Sequence, residues 1–295
     1  MTQGIRTGIL LGALTALFMA FGELLGGHSG ITIAFMIAMV INMGAYWYSD
    51  KLVLSWYKAK PIDFSDKSGL YETVANLAKR AQLPMPKVYL IEADMPNAFA
   101  TGRNPKHASV AATTGLVGLL NQKQLIAVMA HELSHIRHRD TLISAISATM
   151  AGAISMLTNL FMWTALFSGS DENESPLGPI GAIAMMIFTP IAAGLIQFAI
   201  SRSREFQADY GGAKLCGHPE WLASALQALE QHKNTTVFKA AETNPASAHL
   251  FIMNPLKGVK LAHLFSTHPS TSDRIKRLIA MQIERKNDDH ASWLR

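Results

Sequence analysis

The chain has 295 residues, 49% of them apolar and only 16% charged, with a mean hydropathy of +0.17, a net charge of +5 and a pI near 9.3. These proportions depart from those of soluble domains, and membrane-spanning segments are expected. The cations are dispersed and gather at the ends of apolar stretches rather than along one face, which excludes nucleic acid as the expected partner.

Four apolar stretches, roughly Thr7 to Gly22, Ile31 to Trp47, Leu142 to Phe167 and Ile180 to Ile200, approach the length that crosses about 30 Å of hydrocarbon. The first follows Arg6 and ends in Ala20-Phe21-Gly22, so a cleavable signal peptide is the alternative reading. The short turn from Glu23 to Gly30 favours a retained helical hairpin. Arg6, Lys51, Lys58, Lys60, Arg137, Arg139, Arg202 and Arg204 flank the spans on one side, whereas Glu23 and Asp171-Glu172-Asn173-Glu174 lie on the other. This asymmetry predicts a multi-pass protein of the bilayer with both termini in the cytoplasm. The single Cys216 agrees with a reducing compartment. Asn42, Asn159 and Gln197 are expected to hydrogen-bond between spans, and Pro190 to kink the fourth.

The expected organisation is an N-terminal transmembrane hairpin (1–50), a cytoplasmic catalytic part (51–140), a second transmembrane hairpin (141–201) and a cytoplasmic C-terminal part (202–295). In the second part, Leu70, Val74, Leu77 and Ala78 recur at helical spacing, and Val88-Tyr89-Leu90-Ile91 reads as a strand. Asn97 to Thr101, the turn Gly102-Arg103-Asn104-Pro105-Lys106, and Ala108 to Thr113 read as a β-hairpin. Leu116–Leu120 and Gln124–His138 continue as helix. In the fourth part, Arg204–Cys216 and Trp221–His232 read as helices broken at Gly217-His218-Pro219. A last helix spans about Ser270 to Arg285, with Ser270 or Thr271 as its N-cap. The fold class is therefore α+β: mainly helical, about four transmembrane helices, and a small β-sheet in the cytoplasmic domain.

The helix ending at His138 carries His131-Glu132-Leu133-Ser134-His135, the H-E-x-x-H pattern. Positions i and i+4 share a helix face, so both imidazoles can reach one metal ion, with Glu132 beside its open position. One zinc ion per subunit would lower the pKa of its bound water, and Glu132 would act as general base in amide hydrolysis. A third ligand is still required. The metzincin extension is absent, because His138 and Thr141 stand where glycine and histidine belong. A carboxylate from another helix is left, and Glu205 is the candidate, with Asp209 one turn further on to orient a ligating ring. The residues alone leave open that Glu205 is a solvated acid paired with Arg202 or Arg204.

His-Glu-Leu-Ser-His, Asn97-Ala98-Phe99-Ala100-Thr101-Gly102, Arg204-Glu205-Phe206-Gln207-Ala208-Asp209, and Thr267-His268-Pro269 with Arg274 together resemble the HtpX family of membrane zinc endopeptidases, related to the CAAX-processing Ste24-type proteases. The resemblance spans nearly the whole chain. It implies a gluzincin-type site with His131, His135 and Glu205 on zinc and Glu132 as base. It also implies a protease of the bacterial cytoplasmic membrane that cuts misfolded or damaged membrane proteins on the cytoplasmic side.

An extended substrate strand adds well to a sheet edge, and Asn97, Ala98, Phe99 and Ala100 form the candidate edge, a plain structural hairpin being the alternative. The tetrahedral intermediate needs a donor opposite the metal. His268 is the candidate, because in the wider relatives a matching His-Pro, with an arginine six positions after the histidine as Arg274 is here, lies near the active site. Packing or capping is its alternative role. His28, His107, His138 and His263 are assigned no ligand role. A transporter would place ionisable groups inside the spans, which hold almost none, and the prenyl-protein-processing relatives carry more than four spans.

Overall fold

The computed structural model describes residues 3–149, 202–232, 252 and 269–293. Helix α1, Gln3–Trp56, is two antiparallel arms joined at Gly26 and Gly27, where the backbone leaves helical geometry and Gly27 takes φ +54°. The arms lie close at the turn: a Cβ on Gly30 would meet the Gly22 carbonyl oxygen at 1.9 Å. Asn42 pins them further down, donating from Nδ2 to Leu11 O (3.2 Å) and Thr15 Oγ1 (2.8 Å), which is the interhelical role its place in an apolar span predicts. Gly26–Trp56 is long and apolar enough to cross a membrane, and Thr7–Glu23 is a shorter apolar arm. The second arm runs nine residues beyond the expected Trp47, because Val53 and Leu54 pack against the sheet and extend the helix to Trp56. Of the third stretch, residues 142–149 are helical; the rest of it and the fourth, with Asn159, Pro190 and Gln197, lie outside the described residues.

A four-stranded sheet follows, built from β1 (Lys60–Ile62), β2 (Lys87–Ile91), β3 (Ala98–Gly102) and β4 (Ala108–Thr113) in the order β1-β2-β4-β3. The expected hairpin is β3 and β4, antiparallel with Phe99 opposite Ala111. β2 pairs with β4 in parallel, and β1, a strand too short to show periodicity, pairs antiparallel with β2. Successive side chains point to opposite faces of a strand. Val88, Ala98, Ala100, Val110 and Ala112 accordingly enter the main core, while Ile91, Phe99 and Ala111 meet Val53, Leu54 and Tyr57 of the hairpin end. Every residue of β3 and β4 is buried, on both faces, which explains why neither strand shows the alternation of a half-exposed one.

Helix α2 (Leu70–Arg80) covers the first face with Leu70, Val74 and Leu77. Thr113 closes the sheet and opens α3 (Thr114–Leu119), its hydroxyl accepting from Leu116 N and donating to Met95 O. Helix α4 (Gln122–His138) starts at an Asn121–Gln124 capping box and ends at Arg139, which takes the left-handed conformation (φ 59°, ψ 32°). The chain restarts as α5, described over 140–149, and Ile143 and Ile146 pack with Leu10 and Leu14 of the first arm. Helices α6 (Arg202–Cys216), α7 (Pro219–His232) and α8 (Thr271–Trp293) complete the packing around α4. Ser270 caps α8, accepting from Asp273 N at 3.1 Å.

Candidate metal centre

Ten of the seventeen residues of α4 are buried, among them His131, Glu132 and Ser134, because this helix lies between the sheet and α6. The antiparallel packing of α6 on α4 brings Glu205, Asp209 and Gly212, spaced i, i+4 and i+7, onto the face that meets the two histidines. The approach is close: a Cβ on Gly212 would lie 2.8 Å from His131 N and Cα, and one on Gly211 would meet Ser134 Oγ at 2.2 Å. A side chain at 212 meets backbone and would drive the two helices apart, and the distances below would lengthen with them.

One ligand atom each from His131, His135 and Glu205 lies within 4.8 Å of the others. The Nε2 atoms of the two histidines are 3.2 Å apart, and they stand 3.8 and 3.6 Å from the Glu205 carboxylate oxygens. Donors about 2.1 Å from a tetrahedral ion stand about 3.4 Å apart, so nitrogen, nitrogen and oxygen in this arrangement fit a divalent metal. The outer nitrogens point away from that centre to carboxylates, His131 Nδ1 to Asp209 Oδ1 at 3.0 Å and His135 Nδ1 to Asp140 Oδ2 at 3.3 Å. Arg274 is buried and donates twice to Asp209, from Nε at 2.8 Å and from Nη2 at 2.7 Å. Its Nη1 lies 3.9 Å from Glu205 and donates to Ile252 O at 3.4 Å.

Electrostatics follow from burial and these pairs. Burial raises the Glu132 carboxyl above its ordinary value against the pull of His131 and His135. Burial opposes charge on Asp209 as well, but Arg274 and His131 outweigh it and hold Asp209 down to about 2. Arg274 is held firmly protonated by Asp209 in spite of its own burial.

Of the residues singled out by sequence, His131, Glu132, His135, Glu205, Asp209 and Arg274 converge here. Arg204, counted above among the cations flanking the spans, is 5% exposed and lies 3.9 Å from Asp140. Glu205 is likewise buried rather than a solvated acid. Asn97 to Ala100 occupy the sheet-edge strand and the residue before it, with the Cβ atoms of Ala98 and Ala100 turned into the core beside α4. Ile252 N donates to Ala98 O at 3.3 Å, so this edge is engaged at that point. Asn97 is fully buried and tied to Thr113. His268 lies outside the described residues. His107 bonds Asn104 in the β3–β4 turn and His138 bonds its own helix at Ser134, so neither joins the cluster. Sequence reading missed Asp140 and the Gly211-Gly212 pair; two adjacent glycines within a helix that also carries two acids one turn apart were the available signal for the second.

A buried helix bearing H-E-x-x-H, met by a carboxylate from a second helix beneath a small mixed sheet, is the layout of a metal-dependent peptidase domain. Residues 65–282 match peptidase family M48. Protease HtpX of Legionella pneumophila (strain Corby) is 55% identical over 281 residues, covering 95% of this chain and 100% of the relative. The protease HtpX homolog of Burkholderia mallei (strain SAVP1) is 52% identical over 281 residues, covering 95% and 98%. Among solved structures, the crystal structure of S. mikatae Ste24p matches with a TM-score of 0.49 and 20% identity over 92% of this chain, which spans 62% of that chain's length. The chain belongs to peptidase family M48. Within that family it is an HtpX-like metalloprotease.

Proposed function

We propose that the chain is a zinc endopeptidase anchored in the bacterial cytoplasmic membrane, cleaving misfolded or damaged membrane polypeptides on the cytoplasmic side. The observation that carries this reading is the convergence of His131, His135 and Glu205 beside a buried Glu132, on a helix that leads within two residues into one packed on the apolar hairpin. Two neutral imidazoles and one carboxylate suit zinc and leave its site net positive. Support for the membrane comes from the second arm of α1, which exposes Met36, Val40, Met43 and Trp47 along one apolar face. Support for the side comes from the asymmetry of the flanking cations.

In this reading His131, His135 and Glu205 hold the ion, which when bound supplies a Lewis acid and an activated water. Glu132 takes a proton on its carboxylate, and burial, which raises its pKa, lets it retain that proton and deliver it to the departing amine. Asp209 keeps a proton on His131 Nδ1, leaving Nε2 free to ligate, and Arg274 keeps Asp209 in place. The edge formed by Asn97 to Ala100 aligns the substrate backbone at Ala100, past the Ala98 carbonyl that accepts from Ile252 N, and His268 donates to the developing oxyanion.

The test is Glu132→Gln, which keeps shape and removes the base. Cleavage of an unfolded membrane polypeptide in proteoliposomes is expected to fall by about 100- to 10,000-fold with bound zinc unchanged. Undiminished cleavage would remove Glu132 from the reaction.

A further inference from the structure

The two histidines of α4 are braced differently in sequence but alike in space. His131 leans on Asp209, four residues from Glu205 along α6, and Asp209 is gripped by Arg274. His135 leans on Asp140, which lies five residues further along its own chain. On a continuous helix a residue at i+5 points about 140° away from residue i. Arg139 removes that obstacle: its left-handed conformation ends α4, with its N–H bonded to the carbonyls of His135 and Ile136, and the chain turns so that Asp140 comes back beneath the ring. A non-glycine residue in this conformation costs about 1–2 kcal/mol, so the turn is held by the contacts it makes. Asp140 is 3% exposed and its second oxygen faces Arg204 Nη1 at 3.9 Å, with Arg204 itself buried. The first turn of α6 therefore sends adjacent residues to the same histidine, Glu205 to its inner nitrogen and Arg204 to the carboxylate on its outer one.

We propose that Asp140 is a positioning residue of the metal centre: it fixes the His135 ring through Nδ1 and is itself paired with Arg204 at ion-pair distance, a looser counterpart of the hydrogen-bonded Asp209 and Arg274. The inference rests on His135 being a metal ligand. It assigns the brace to the point where α4 gives way to α5, whose next residue, Thr141, donates to Gly102 O at 2.7 Å and ties the same junction to the end of β3.

The test compares Asp140→Asn and Asp140→Ala in the full-length protein, measuring zinc affinity and the visible absorption of the cobalt-substituted protein. Alanine removes the acceptor and is expected to weaken zinc binding about 10- to 100-fold and to change the cobalt spectrum. Asparagine retains an oxygen that accepts from Nδ1 and is expected to recover most of the affinity and the spectrum. If Asp140 served only as a structural charge partner for Arg204, both variants would lose the charge and behave alike, and equal losses would overturn the proposal, as would wild-type binding by the alanine variant. Should Asp140→Ala fail to fold, Arg204→Ala takes its place: several-fold weaker zinc binding with an altered cobalt spectrum is expected, and no change in either would sink the brace. His135→Ala reports separately on the ligand reading, because wild-type zinc affinity in that variant would remove the histidine, and not merely its brace, from the site.

Discussion

At His135 two effects oppose each other. Burial disfavours a charged ring, while the hydrogen bond to Asp140 and the charges of Glu205 and Glu132 favour it, and the balance holds its proton up to about 9 in the metal-free protein. A protonated ring cannot ligate, so metal uptake below that value must expel a proton. Affinity then rises with pH until about 9 and levels off above it. One linked proton changes affinity about tenfold per pH unit, so zinc binding at pH 6.5 is expected to be about a hundredfold weaker than at pH 8.5. Competition titrations at the two values measure this directly. The two histidines of the proposed metal site were legible at this scale, since H-E-x-x-H fixes two rings one turn apart by helix geometry alone. Asp140 was not, because its contact depends on a left-handed residue at Arg139, and no periodic pattern announces such a turn.

Between elements, the quantity that matters is how closely α6 lies on α4. Gly212 has no side chain where a Cβ would sit 2.8 Å from the His131 backbone. Gly212→Ala is expected to destabilise the fold by about 1–3 kcal/mol through overpacking and to weaken zinc binding as Glu205 moves away from the histidines; denaturation and metal titration of the same variant check both effects. In the hairpin, Asn42 joins the arms by two hydrogen bonds within an apolar surface. Asn42→Ala is expected to cost about 0.6–2 kcal/mol of helix association, read as a lower unfolding midpoint in mixed micelles. The two arms of α1, α2, the β3–β4 hairpin and the helices on both sides of Gly217 follow the sequence pattern because each has its own period or breaker. β1 does not, because three residues are too few to show alternation, and its existence is decided by pairing with β2.

For the molecule as a whole, the sheet couples the two halves. One face packs on α2 and α4 beside the metal centre, and the other receives Val53, Leu54 and Tyr57 from the hairpin end. The centre concentrates Glu132, Glu205 and Asp209 in buried surroundings, and an ion that binds the native state alone stabilises it by mass action. Treatment with a chelator is therefore expected to lower the midpoint of thermal unfolding. Restoring zinc at about 100 times its Kd should return about 2.7 kcal/mol, and a midpoint indifferent to both treatments would contradict a metal held by the folded state.

The sequence by itself determined the local facts: which stretches are apolar enough for lipid, where helices start and stop, and that two imidazoles share one helix face. These depend on composition and on periods of two and 3.6 residues, which are properties of neighbouring positions. Tertiary structure decided the rest. Glu205 and Asp209 lie some seventy residues beyond the histidines, Arg274 further still, and only the packing of α6 on α4, and of α8 on α6 and α7, brings them together. Asp209, the partner of the His131 ring, is a long-range contact, and it exists because glycine at 212 lets two helix backbones come close enough to make it.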